Sequence, residues 1–154
     1  RCAQMPLCRP AQAAGLRMRH APAFRHPRHM SYRNATPMLR VSDYPRAKAF
    51  YTDVLRFSQI NEAGEPEPGF GIFVAGSAQI FLHSWDGAQP PYDNWRAYFY
   101  VDDQPDMIAH LTAQNCPFKG PQDTFYNMRE IEVTDPDGNV LCFGTDIPAA
   151  DTST

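Results

Sequence analysis

Two glutamates one residue apart, Glu130 and Glu132, carry the clearest chemical signal in this chain of 154 residues. They alternate with Ile131 and Val133, so an extended strand puts both carboxylates on one face and both aliphatic chains on the other. The same alternation sets Tyr98 and Tyr100 (with Arg96) opposite Ala97, Phe99 and Val101. It sets Cys142 opposite Leu141 and Phe143, and Met38 and Arg40 opposite Leu39 and Val41. With the aliphatic sides packed under helices, the spacing directs Met38, Arg40, Arg96, Tyr98, Tyr100, Glu130, Glu132 and Cys142 into one concavity, rimmed by Trp95 and Trp85. This inference assumes that no bulge resets the register. Such a set suits recognition rather than turnover. Tyrosine and tryptophan offer flat apolar faces with a polar tip for a planar ligand. The carboxylates attract a cation, while Arg40 and Arg96 either pair with them or hold an anion. Unpaired burial of these charges is costly, so pairing across the cleft is expected. Each residue has a plainer role: tyrosine packs well on any strand, and alternating glutamates mark any solvent-facing strand.

Catalytic arrangements are scarce. No serine–histidine–acid or cysteine–histidine set emerges from the order of residues. Cys142 has no basic neighbour in sequence and reads as a buried, inert thiol. No glycine-rich phosphate loop is present. His83 closes a strand pattern and His110 lies in a helical one, so both read as surface or packing residues.

The elements that position these side chains form a repeat. Leu39 and Val41 mark a strand. Asp43 then offers an N-cap and Pro45 fits the first helical turn, where a missing N–H is harmless. Ala47, Phe50, Tyr51 and Val54 follow on one helical face. Sixty residues later, Phe99 and Val101, then Asp103, Pro105, and an apolar face of Met107, Ile108 and Leu111 repeat the pattern. Strand-like runs follow each helix, at 57–60, 70–74 and 79–83 in the first half and at 125–133 and 140–143 in the second. Asp135-Pro136-Asp137-Gly138-Asn139 is a strong turn signal, and residues 86–94 read as the linker between halves. The reading is α+β: paired βαβββ modules forming a concave mixed sheet with helices outside.

Charge is unevenly spread. Residues 1–29 hold six arginines and no acid, leaving the body with eight basic against 17 acidic side chains, a net charge of −9. That body repels nucleic acid and favours cationic small molecules. No apolar run approaches the ~18 residues that span a bilayer, so no membrane partner is expected. Residues 1–29 show neither strand nor helix period and read as a disordered basic extension, with Met30 as the natural start. An organelle leader fits less well, because no serine occurs before Ser31. Zinc ligation by Cys2, Cys8, His20 and His26 fails on the five-residue gap between the cysteines. The domain is therefore placed at residues 30–147, with residues 148–154 as a tail. Cys116 and Cys142 have no pair spacing, which points to free thiols in a reducing, cytoplasmic setting.

The paired Asp-x-Pro helices, the run from Val41 to Leu55, the Val133-Thr134-Asp135-Pro136-Asp137-Gly138-Asn139 ending and the sixty-residue repeat resemble the vicinal oxygen chelate superfamily. Within it, residues 127–133 and the body as a whole resemble the bleomycin resistance proteins. The resemblance covers about residues 36–145. It implies a cleft on the concave sheet and homodimers whose clefts are completed across the interface. It also implies that metal-dependent members place their ligands near Thr36, Arg96 and Cys142. None of these is histidine or glutamate, and Arg96 repels a divalent ion. A single thiolate is not a site, and a metal-dependent lyase needs about three ligands with an open position. The family often has glycine where Arg56 stands, so a different helix end is expected here.

The expectation is therefore a binding protein without cofactor or metal. It would sequester a cationic or planar small molecule, an antibiotic of the bleomycin kind, through Met38, Arg40, Trp95, Arg96, Tyr98, Tyr100, Glu130, Glu132 and Cys142. The alternatives are a metal-dependent glyoxalase-type lyase or isomerase or extradiol dioxygenase with shifted ligands, and a non-catalytic module that contacts a basic partner.

Overall fold

The structure is a computed structural model that describes residues 33–86 and 94–148. The basic extension, most of the linker and all but the first residue of the tail lie outside the described residues. The first module runs β1 (Met38–Val41), α1 (Tyr44–Ala49), β2 (Ser58–Ala63), β3 (Phe70–Ala75) and β4 (Ala78–Ser84). The second runs β5 (Ala97–Tyr100), α2 (Gln104–Ala113), β6 (Phe118–Asp123), β7 (Met128–Thr134) and β8 (Val140–Asp146).

Each module folds one mixed four-stranded sheet, in the orders β1-β4-β3-β2 and β5-β8-β7-β6. The first strand of each lies parallel to the last, and the other pairings are antiparallel. The parallel pairing is possible because the helix carries the chain across before the last strand enters. The paired modules read from the sequence thus take the form of two sheets and two short helices.

The caps form as their residues dictate. The Asp43 carboxylate accepts the Arg46 N–H at 3.0 Å, and the Asp103 carboxylate accepts the Asp106 N–H at 2.9 Å. Proline then occupies the first turn of both helices. The first helix does not stay α-helical. Phe50–Val54 winds as a π-helical turn that ends at Arg56, with φ of 57°. The left-handed conformation expected of glycine is thus kept by an arginine. Its guanidinium donates to Asp106 at 2.8 Å and to His110 Nδ1 at 2.9 Å. His110 Nδ1 accepts, so Nε2–H donates to the Val54 carbonyl at 3.1 Å, and the histidine braces α2 against the end of the first helix.

The aliphatic sides of the strands pack as their alternation dictates. Leu39, Val41, Phe99, Ile131, Val133, Leu141 and Phe143 are buried in one cluster with Tyr51, Phe73 and Leu82, and Ala97 and Val101 are partly buried against it. The two halves are bonded through the Asp135–Asn139 turn. Tyr51 donates its hydroxyl to Asp135 Oδ2 at 2.9 Å, and Asn139 Nδ2 donates to the Arg40 carbonyl at 3.0 Å. Asp137 accepts the Ser42 N–H at 2.8 Å and pairs with Arg46 at 3.2 Å.

Two features of the second module depart from the sequence reading. The run expected to be a strand from residue 125 starts at Met128. Thr124 to Asn127 form a turn closed by Asn127 N–H to the Thr124 carbonyl, with Asn127 at φ 61°. The second strand of this module, β6, was hidden by Gly120-Pro121, because proline in a strand argues against one. The pair sits at a bulge. Lys119 lies opposite Glu132 and Gln122 opposite Glu130, so Gly120 and Pro121 together face Ile131 alone and β6 carries one extra residue.

A tyrosine-framed cleft on the second sheet

The cleft is built on the polar face of the second sheet. Residues paired across strands point to the same side. Tyr98 is opposite Cys142, Cys142 is opposite Glu132, and Glu130 is opposite Gly144, so these side chains share a face. Gly144 makes room for the tyrosine. A Cβ there would overlap the Tyr98 hydroxyl and come within 2.7 Å of its Cζ. Tyr98 therefore lies across the glycine, and its hydroxyl donates to Glu130 Oε1 at 3.0 Å. Tyr126, delivered by the turn before β7, donates to the same oxygen at 2.7 Å. Trp95, just ahead of β5, donates its indole N–H to Glu132 Oε1 at 2.7 Å, and Lys119 donates to Oε2 at 3.4 Å. The Trp95 and Tyr98 rings lie 5.5 Å apart.

Together these groups border a cleft of about 430 Å³, within the ordinary size of small-molecule sites. Trp95, Lys119, Gln122, Tyr126, Glu130 and Glu132 line it, and Phe125, 96% exposed, stands at its lip. A second, smaller crevice of about 150 Å³ lies between Leu55, Phe57, Phe99, Met107 and Phe143, and is mostly apolar.

The electrostatics follow from burial and these bonds. Burial first, then the Glu130 hydrogen bond, makes the Tyr98 hydroxyl harder to ionise. The Trp95 hydrogen bond, aided by Lys119, holds the Glu132 carboxyl below the usual range. Burial, then the charges of Glu130 and Glu132, pushes the Cys142 thiol up to about 12. A fully buried neutral thiol is a poor nucleophile and a poor metal ligand.

Of the residues singled out by sequence, Trp95, Glu130 and Glu132 line the cleft, and Tyr98 and Cys142 support them from within the sheet. Tyr100 stacks edge-on to Tyr98 at 5.1 Å but is 80% exposed at the strand end. Arg96 is half-buried ahead of β5. Met38 and Arg40 lie on the first sheet. There Met38 is exposed and Arg40 sits 4.3 Å over the ring of Trp85, which also contacts His83. The glutamates are held by Lys119, Trp95 and two tyrosines rather than by Arg40 and Arg96. The bulge at Gly120-Pro121 turns Lys119 and Gln122 onto the same face. Tyr126 and Lys119 escaped the sequence reading, one on an unrecognised turn and the other on an unrecognised strand.

The donor set does not fit a divalent metal. Thr36 spends its hydroxyl on Gln79 at 3.0 Å, Arg96 is cationic, and Cys142 keeps its proton. Among the described residues, no three His, Cys, Asp or Glu side chains gather closely enough to share an ion. No helix among them is long and apolar enough to cross a membrane.

Duplicated βαβββ modules carrying an open, aromatic and acidic cleft define a protein with the vicinal oxygen chelate fold. The chain belongs to the Glyoxalase/Bleomycin resistance protein/Dioxygenase superfamily, whose family model matches residues 33–143. No curated protein sequence matches the chain. Among solved structures, it is similar to TnmS3, an antibiotic binding protein from Streptomyces sp. CB03234 (22% identity, TM-score 0.62, covering 77% of this chain and 99% of that one). It is also similar to a bleomycin resistance determinant encoded on the transposon Tn5 (19%, TM-score 0.64, 75% and 98%). A lactoylglutathione lyase from Agrobacterium tumefaciens shares the fold as well (19%, TM-score 0.60, 75% and 94%).

Proposed function

We propose that the chain is a small-molecule-binding protein that sequesters a cationic or planar compound, an antibiotic of the bleomycin kind, and performs no chemistry on it. One observation carries this reading. Glu130, 8% exposed, is held by two tyrosine hydroxyls at the wall of a cleft bordered by Trp95 and Phe125. Holding a buried carboxylate with neutral donors keeps its charge available to a ligand. The lack of a fitting metal donor set among the described residues weighs against a metal-dependent lyase or dioxygenase. The bleomycin-resistance and antibiotic-binding neighbours support the antibiotic assignment by likeness of fold.

The working unit we propose is a homodimer, with the open cleft of one protomer closed by the other. Exposed Met38, Trp85, Tyr100 and Phe125 supply apolar surface for such a contact. The free Cys116 and Cys142 thiols support a reducing, cytoplasmic setting. Titration calorimetry with metal-free bleomycin tests the ligand: saturable heat at micromolar concentrations is expected, and no heat at high micromolar concentrations removes this antibiotic. Sedimentation at micromolar concentrations tests the dimer.

A further inference from the structure

The two glutamates of the cleft are not equivalent, and the difference specifies the group that a ligand presents. The inference rests on the binding role proposed above. Glu132 has a cation beside it: Lys119 faces one oxygen and the Trp95 indole the other. The groups bonded to Glu130 are neutral hydroxyls. None of the ion pairs among the described residues includes it. Both of its hydrogen bonds, from Tyr98 and Tyr126, fall on Oε1. Oε2 accepts nothing among the described residues, and it is not among the sealed buried polar atoms, so it opens to the cleft that Glu130 lines. A carboxylate offers about four lone-pair positions. Here two are filled by neutral hydroxyls, and the remaining oxygen is unmet.

We infer that Glu130 Oε2 receives the N–H of a protonated amine carried by an aromatic ligand. An N–H donor on a cation makes a short, charge-assisted bond to a carboxylate oxygen. A quaternary ammonium has no such hydrogen, and its methyl groups hold the charge away. A neutral ligand covers the carboxylate without compensating it, leaving a desolvated charge. Trp95 and Tyr126 line the same cleft, and their ring faces favour a cation joined to a planar body. Tyr98 and Tyr126 act as positioning residues: by occupying Oε1 they aim Oε2 outward.

The test uses three probes that share an indole ring and a two-carbon arm: tryptamine, N,N,N-trimethyltryptammonium and indole-3-ethanol. Calorimetry on the full chain at pH 7 is expected to show tryptamine binding at least tenfold tighter than the other two. Glu130→Gln is expected to weaken tryptamine tenfold or more and leave indole-3-ethanol within twofold, which also reports that the variant is folded. Equal affinity of all three probes for the unaltered protein overturns the amine assignment and leaves the binding role standing. No binding of tryptamine at millimolar concentration overturns the amine assignment, while the binding role is decided separately by the bleomycin titration.

Discussion

Gly144→Ala tests the geometry of the cleft at its tightest point. Gly144 does not adopt a positive φ, so alanine meets no backbone penalty there. The new methyl instead lands on the Tyr98 hydroxyl, 2.7 Å from Cζ and 3.1 Å from Met128 Cε. The methionine end is flexible and gives way. The tyrosine is pinned between its strand and Glu130. Inserting a methyl into a packed site costs about 1–3 kcal/mol. Driving the Tyr98 hydroxyl off a carboxylate forfeits a hydrogen bond worth about 1.5–3 kcal/mol. The two costs are alternatives in part, since moving the ring relieves the clash. The expected loss is therefore about 2 kcal/mol in urea unfolding, with tryptamine binding weakened in parallel. The decisive measurement is a double-mutant cycle with Tyr98→Ala. Once the ring is gone, Gly144→Ala is expected to cost less than ~0.5 kcal/mol, giving a coupling near 1.5 kcal/mol. Additive effects of the two substitutions would refute the placement of Tyr98 over Gly144.

Tyr51→Phe removes one donor from the buried Asp135 carboxylate, and chemical denaturation is expected to show a loss of about 1–3 kcal/mol with no effect on probe affinity. At position 56, glycine relieves the left-handed strain that alanine retains, while both lose the bonds to Asp106 and His110. Arg56→Gly is thus expected to unfold at higher urea than Arg56→Ala, by about 1 kcal/mol. The Glu132 carboxyl is held low chiefly by the Trp95 indole. Its stabilisation is fully present above pH 4.5 and fades as pH falls through the lowered value. The indole N–H resonance of Trp95 is expected to titrate with a midpoint below 4.5, and Lys119→Ala to move that midpoint upward.

Much of this architecture was legible because it rests on periodic burial. The strands bearing Leu39, Val41, Phe99, Ile131 and Val133 alternate strictly, and Asp43-x-Pro45 and Asp103-x-Pro105 mark both helix starts. Those patterns sufficed to place Tyr98, Glu130, Glu132 and Cys142 on one face. They did not suffice for the partners. Lys119 and Gln122 share one face only because one extra residue resets the alternation of β6, and register has no local sequence signature once proline interrupts the run. Tyr126 reads as one more alternating aromatic until the positive φ of Asn127 shows that the chain is turning. The π-helical turn at Phe50–Val54 was invisible for a related reason. One apolar stripe serves either winding, so the spacing of Ala47, Phe50, Tyr51 and Val54 does not choose between them. Arg40 and Met38 were assigned to the right face of a strand, but that strand belongs to the other sheet.

The grip of the Asp135–Asn139 turn on the first helix has a consequence for how the molecule comes apart. The two sheets share no strand, and each could have been an independently melting body. Instead the tightest corner of the second half is filled by Tyr51 from the first, while His110 of the second half hangs on the Val54 carbonyl of the first. Each half supplies the missing wall of the other, so thermal denaturation draws both down in a single cooperative step, and the cleft survives only as long as the sheet that does not form it.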